Sequence, residues 1–128
     1  MINYSLKERV NPQAPQETRK QYAFVQNQGA VSLRHLATRI SRESTISMMD
    51  TMAVLEGLLQ VIPDLLAEGK IVRLGDLGTF RVTISSEGAD TVDDFNVNMI
   101  KGLNLKFRPG VEFRDQLNNV KFTRVNGN

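Results

Sequence analysis

Few residues in this chain have the type and spacing to do chemistry. Residues 73–80 read Arg-Leu-Gly-Asp-Leu-Gly-Thr-Phe, with Gly75 and Gly78 between two short apolar runs. Such a pair could cradle a phosphate, turn the chain between strands, or let backbone approach a ligand. The neighbouring residues argue against a phosphate loop. No Lys-Ser or Lys-Thr comes after the glycines, no Gly-x-Gly-x-x-Gly is present, and the next residues favour strand over helix. A turn between two strands is the better reading. Asp90, Asp93 and Asp94 lack the alternate oxygen ligands and closing glutamate of a calcium loop. They read as a solvated acidic loop. His35 is the one histidine, with no acid or nucleophile recognisably paired with it. No nucleophile elbow or triad context appears. Nothing here argues for an enzyme, and no metal, cofactor or small-molecule substrate is expected.

The bulk properties narrow the class further. A chain of 128 residues suits one domain, and 41% apolar with 23% charged residues fits a soluble protein with a modest core. The absence of cysteine excludes a disulfide framework and a thiolate metal site, and fits a reducing compartment. The first residues, MINYSLKERV, hold no apolar run that could serve as a signal peptide. The longest apolar stretches are broken by Asp, Glu or Gln short of a membrane span. A cytoplasmic protein with no membrane partner is expected. Net charge is only +2, but it is unevenly spread. Residues 1–30 carry +2, 31–69 carry −2, 70–82 carry +2, 83–102 carry −3 and 103–128 carry +3. Positive segments of this kind can attract nucleic acid.

These residues are positioned by a recognisable series of elements. Ile2, Tyr4 and Leu6 alternate with polar neighbours over 2–9, a strand pattern, and two prolines in NPQAPQ then break the chain. Residues 20–26 have strand composition. Ser32 is a candidate N-cap for a helix to about Arg42, with Leu33, Leu36, Ala37 and Ile40 on one face. Ser47 and Asp50 resemble a capping box at the start of a longer helix. From Met48 to Glu68 the apolar residues step by threes and fours, widened by Met49, Leu58 and Leu65. That stripe is too wide for one short helix to cover, so it lies at the centre of a core or is shared between two chains. Gly69 is placed to end the helix. Strands are expected at KIVRL and TFRVTI, then a polar, acidic excursion at 85–102, a strand at LNLKF, a short helix at VEFRDQL and a last strand at VKFTRV.

Two separated motifs in this order resemble the HU family of bacterial histone-like DNA-binding proteins. They are LLAEGKIVRLGDLGTFRV at 65–82 and LKFRPGVEFRDQL at 105–117. The family shows an Ala-x-Gly helix end, a Val-x-Leu strand, a Gly-Phe-Gly-Thr-Phe turn, an arm, and Phe-Lys-Pro-Gly before a terminal helix. This chain has Gly75-Asp76-Leu77-Gly78-Thr79-Phe80 at the turn and Phe107-Arg108-Pro109-Gly110 at the close. The added N-terminal strands are similar to those of longer HU-like proteins of the Bacteroides group. The resemblance implies an α+β fold. An N-terminal extension of strands at 1–30 precedes an HU-like domain at 31–128. That domain comprises a helix pair, an antiparallel sheet with a β-arm, a short C-terminal helix and a terminal strand. It also implies an intertwined homodimer whose sheets form a saddle on duplex DNA in the nucleoid.

The resemblance points to particular positions. Gly75 and Gly78 fall at the family's turn glycines, where backbone N–H groups can approach phosphates. Arg108 aligns with the basic residue of Phe-Lys-Pro-Gly and is the foremost phosphate contact. Arg81 stands where the family often has an acidic residue, so its role is inferred from local charge. Lys70, Arg73, Lys101 and Lys106 are supporting candidates. Residues 83–102 depart from the family's basic, proline-tipped arm: they hold no proline, one basic residue and four acidic ones. Phe95, Val97, Met99 and Ile100 in that stretch are expected to fold back onto the body. The leading reading is sequence-tolerant duplex DNA binding through the saddle. The alternative is a dimeric structural or protein-interaction module that kept the fold and lost arm-mediated wrapping.

Overall fold

The alternation at Ile2, Tyr4 and Leu6 becomes strand β1 (Ile2–Arg9) in the computed structural model, which describes residues 1–126. The last two residues of the expected 31–128 domain lie outside the described residues. The chain divides into two units, one of residues 1–32 with those from 117 onward, the other of residues 33–116.

In the first unit β1 pairs antiparallel with β2 (Lys20–Val25), from Tyr4 opposite Val25 to Arg9 opposite Lys20. The connection carries the two prolines. An Asx turn there has the Gln13 N–H donating to Asn11 Oδ1 at 3.0 Å. The last strand, β6 (Phe122–Arg124), joins the other edge of β1 in parallel, with Ile2 opposite Phe122. The order is β2-β1-β6. Ile2, Tyr4, Leu6, Ala23, Val25 and Phe122 therefore share one face. Ser5 is buried on the other face and accepts a hydrogen bond from Gln26 Nε2 at 2.6 Å.

In the second unit, helix α1 (Leu33–Arg42) buries Ala37 and leads to helix α2 (Met48–Ala67). The expected cap forms: the Asp50 N–H donates to Ser47 Oγ at 3.1 Å, satisfying one of the open donors of the first turn. Helix α2 runs on through Pro63. A three-stranded antiparallel sheet comes next, in the order β3-β4-β5: β3 (Val72–Arg73), β4 (Gly78–Ser86) and β5 (Ile100–Pro109). KIVRL thus contributes only two residues of strand, while TFRVTI and LNLKF extend well beyond the expected ends. Helix α3 (Val111–Asp115) closes the unit.

The β4–β5 ribbon pairs to Ser86 opposite Ile100, with a bulge at Lys101. Beyond it the chain turns through residues 87–99, and the Glu87 N–H donates to the Met99 carbonyl at 2.8 Å. The expected fold-back does not occur for all four apolar residues of this stretch. Val97 is 74% exposed and Phe95 41%, while Met99 and Ile100 are half-buried where strand pairing ends. Tight local turns hold the tip: Asn96 Oδ1 accepts from the Asn98 N–H at 3.0 Å and Thr91 Oγ1 from the Asp94 N–H at 3.2 Å. They bend the segment on itself and leave Val97 and much of Phe95 in water.

The turn between β3 and β4 fits against the start of α3. The Gly110 N–H donates to the Leu77 carbonyl at 3.1 Å, and a Cβ on Gly110 would run into the backbone carbonyl of Asp76. That close approach is what the Arg-Pro-Gly segment requires of its glycine. Gly110→Ala is expected to destabilise the protein by about 1–3 kcal/mol through overpacking against rigid backbone. Thermal or urea unfolding measures it, and an unchanged midpoint would count against this packing.

Candidate nucleic-acid interface

The register of the second sheet separates its side chains by chemistry. Phe80 lies opposite Phe107, Val82 opposite Leu105 and Ile84 opposite Leu103. Alternate residues of a strand point to opposite faces, so these six form one apolar face. The Phe80 and Phe107 rings pack with centroids 4.6 Å apart. The intervening residues form the other face: Thr79 opposite Arg108, Arg81 opposite Lys106 and Thr83 opposite Asn104. Arg73 of β3 lies opposite Thr79 and joins them.

Four of the eight residues nominated from sequence thus converge. Arg73, Arg81, Lys106 and Arg108 line one shallow basin with Thr79, about 520 Å³ in volume. Among the described residues none of the four has an ion-pair partner. No residue of β3, β4 or β5 is acidic. Like charges directly opposite each other in a sheet are destabilising, and Arg81 stands directly opposite Lys106. The fold tolerates this repulsion, and among the described residues no carboxylate pairs with either cation. A polyanion would supply the counter-charge.

The other four nominated residues take different places. Lys70 pairs with Glu68 at 3.3 Å, and Lys101, at the bulge, pairs with Glu87 at 3.7 Å. Both pairs are exposed, and neither lysine lines the basin. Gly75 is exposed at the turn with φ 56°, in the left-handed region that favours glycine. Gly78 is buried, with φ 146°, and a Cβ there would lie 2.5 Å from the Arg108 carbonyl oxygen. Gly78 sets how closely β4 and β5 approach, and so where Arg108 is held. Ile71 and Phe107 complete the lining, and Thr79 is the polar basin residue that sequence reasoning missed. Its signal was present in the alternation Thr79-Phe80-Arg81-Val82, which puts Thr79 on the arginine's side.

The second feature is what the apolar face leaves open. With α2 it bounds a groove of about 430 Å³, lined by Leu59, Ile62, Leu66, Phe80, Val82 and Leu105 among others. Among the described residues only Ala37 and Leu66 are buried apolar side chains. Leu59, Leu103 and Leu105 are each about 60% exposed. Among the described residues no cluster of His, Cys, Asp and Glu could hold a metal, and no helix is long and apolar enough to cross a membrane.

No curated protein matches the chain. Among solved structures it is similar to that of a protein from Bacteroides vulgatus proposed to be a bacterial DNA-binding protein. The TM-score is 0.66 at 10% identity, over 97% of this chain and 48% of that one. At that identity the likeness establishes the fold, and this chain spans about half the length of its neighbour. The model of the family described as HU domain fused to wHTH, Ig, or Glycine-rich motif matches residues 1–124. With the helix pair, the two-faced sheet and the Phe-Arg-Pro-Gly close in place, the chain belongs to this HU-HIG family.

Proposed function

We propose that this protein is a non-enzymatic, sequence-tolerant binder of duplex DNA that works as a homodimer in the bacterial nucleoid. The observation that carries this reading is the unpaired basic face of Arg73, Arg81, Lys106 and Arg108. These side chains reach phosphates, which carry no base information, so affinity is spread over all sequences. Thr79 adds a hydroxyl donor in the same basin. The acidic tip at Asp90, Asp93 and Asp94 repels phosphate, so docking rests on the sheet rather than on a wrapping arm.

The homodimer is supported by the exposed apolar face. A chain of this size that buries so few apolar side chains lacks the burial that offsets conformational entropy. A second copy placed against α2 and the apolar face would provide it, leaving the basic face for DNA. The wide stripe at 48–66 then serves both chains. The acidic tip favours a second reading, a dimeric protein-interaction module of the same fold that does not bind DNA.

A titration of labelled duplex separates the two. Binding should be tight at low salt and fall steeply as salt rises, since each neutralised phosphate adds about −0.9 to the slope of log K against log salt. Absence of binding at low salt would favour the second reading. Arg108→Ala should weaken binding to all sequences alike and lower the salt slope by about one. Arg81→Gln should weaken binding in the same way while raising stability by about 0.2–1 kcal/mol, because it relieves the repulsion with Lys106. Sedimentation equilibrium at micromolar concentration should give the mass of two chains, and a monomer mass would refute the dimer.

A further inference from the structure

The chain's surplus of positive charge lies outside the unit that holds the basic sheet face. Residues 33–116 carry ten basic and twelve acidic residues, whereas residues 1–32 and those from 117 onward carry six basic and two acidic ones. One of those two acids, Glu8, pairs with Arg19 at 3.9 Å. The first unit is therefore the more strongly attractive to a polyanion.

Its cations are gathered with aromatic rings. On the face of the β1–β2 pair opposite Ile2, Tyr4 and Leu6, Lys7 lies opposite Tyr22, Arg9 opposite Lys20 and Ser5 opposite Phe24. Of the unit's two acidic residues, Glu8 falls on the other face, while Glu17, from the β1–β2 connection, lines a small depression with Arg9, Lys20 and Tyr22 and leaves the cations there in excess. Phe24 is half-buried and forms a floor. The Lys7 ammonium lies 5.1 Å and the Arg9 guanidinium 4.5 Å from its ring centroid, a cation–π arrangement that holds both cations over the sheet. Tyr22 stands beside them, 48% exposed, and its hydroxyl makes no hydrogen bond among the described residues. A sheet that presents cations alternating with an open aromatic ring suits one ligand well. Cations track a phosphate backbone, and the ring takes the flat face of a base. Bases in a duplex are already stacked on each other and cannot be taken in this way.

We infer that this face of the first unit binds single-stranded nucleic acid, with Lys7, Arg9 and Lys20 on phosphates and Tyr22 stacking an unpaired base. It shares no residue with the duplex-binding basin, so either site can fail without the other.

The test is fluorescence anisotropy of the full chain with labelled short oligo(dT) and oligo(rU) at low salt. Binding to at least one is expected, and the two arms tell DNA from RNA. Tyr22→Leu should weaken it about tenfold, the loss of one stacked base, while Tyr22→Phe retains it. Lys20→Gln, at an exposed position, should reduce the salt slope by about 0.7, the value for one phosphate of a single strand. Arg108→Ala should leave oligonucleotide binding unchanged. No binding of either oligonucleotide at low salt overturns the proposal. So does binding that survives both Tyr22→Leu and Lys20→Gln but is lost with Arg108→Ala. Displacement of the oligonucleotide by poly-glutamate of equal charge, as readily as by unlabelled oligonucleotide, would assign the face to acidic peptides instead.

Discussion

The pairing register of β4 with β5 is the constraint on which the rest of the second unit depends. With Phe80 opposite Phe107, every large apolar side chain of the paired ribbon from Phe80 to Ile84 falls on one face and Arg81, Lys106 and Arg108 fall on the other. A slip of one residue would exchange the faces, exposing the phenylalanines on the polar side and burying Arg81 and Lys106 against the helices. Two close backbone approaches guard against that slip. Gly78 lets β4 come up to the Arg108 carbonyl, and Gly110 lets the end of β5 fit against Asp76. The Phe107 ring then fills the space the missing Cβ leaves open, and Phe80 packs on it.

This arrangement sets the gathering of cations against stability. The same register that gathers the cations brings Arg81 and Lys106 face to face with no acidic residue on the three strands. Along the ribbon the charge then reverses, from the basic base to a tip with Asp90, Asp93 and Asp94. Exposed charges more than about a Debye length apart are screened, roughly 8 Å at physiological salt, so base and tip act as separate local fields. A polyanion meets attraction at the base and repulsion at the end. That contrast distinguishes this chain from the basic-armed HU proteins it resembles.

The two units use one device for different ends. Each is a three-stranded sheet with an apolar and a polar face. In the second unit the polar face is cationic and without aromatics, suited to phosphates alone. In the first, Phe24 and Tyr22 interleave with Lys7, Arg9 and Lys20. Both apolar faces stay largely open in the single chain.

Much of this was legible in the residues themselves. The Ser47 cap, the stripe of α2, the alternations in β1, β4 and β5 and the Phe-Arg-Pro-Gly close each rest on local rules of period and conformation, and those rules act within a few residues. The same alternation held the faces of the ribbon, including Thr79. Three things needed the tertiary structure because they join residues distant in sequence. Parallel pairing of β6 with β1 sets Ile2 beside Phe122, near opposite ends of the chain, and no local pattern encodes a partner. The burial of Gly78 beneath Phe107 depends on a strand that arrives after the whole tip has been traversed. The convergence of Arg73 with Arg108, and the pairing of Lys101 with Glu87 across the ribbon, come from register and from the bulge at Lys101. Composition determined that cations were available; strand pairing decided which of them stand together.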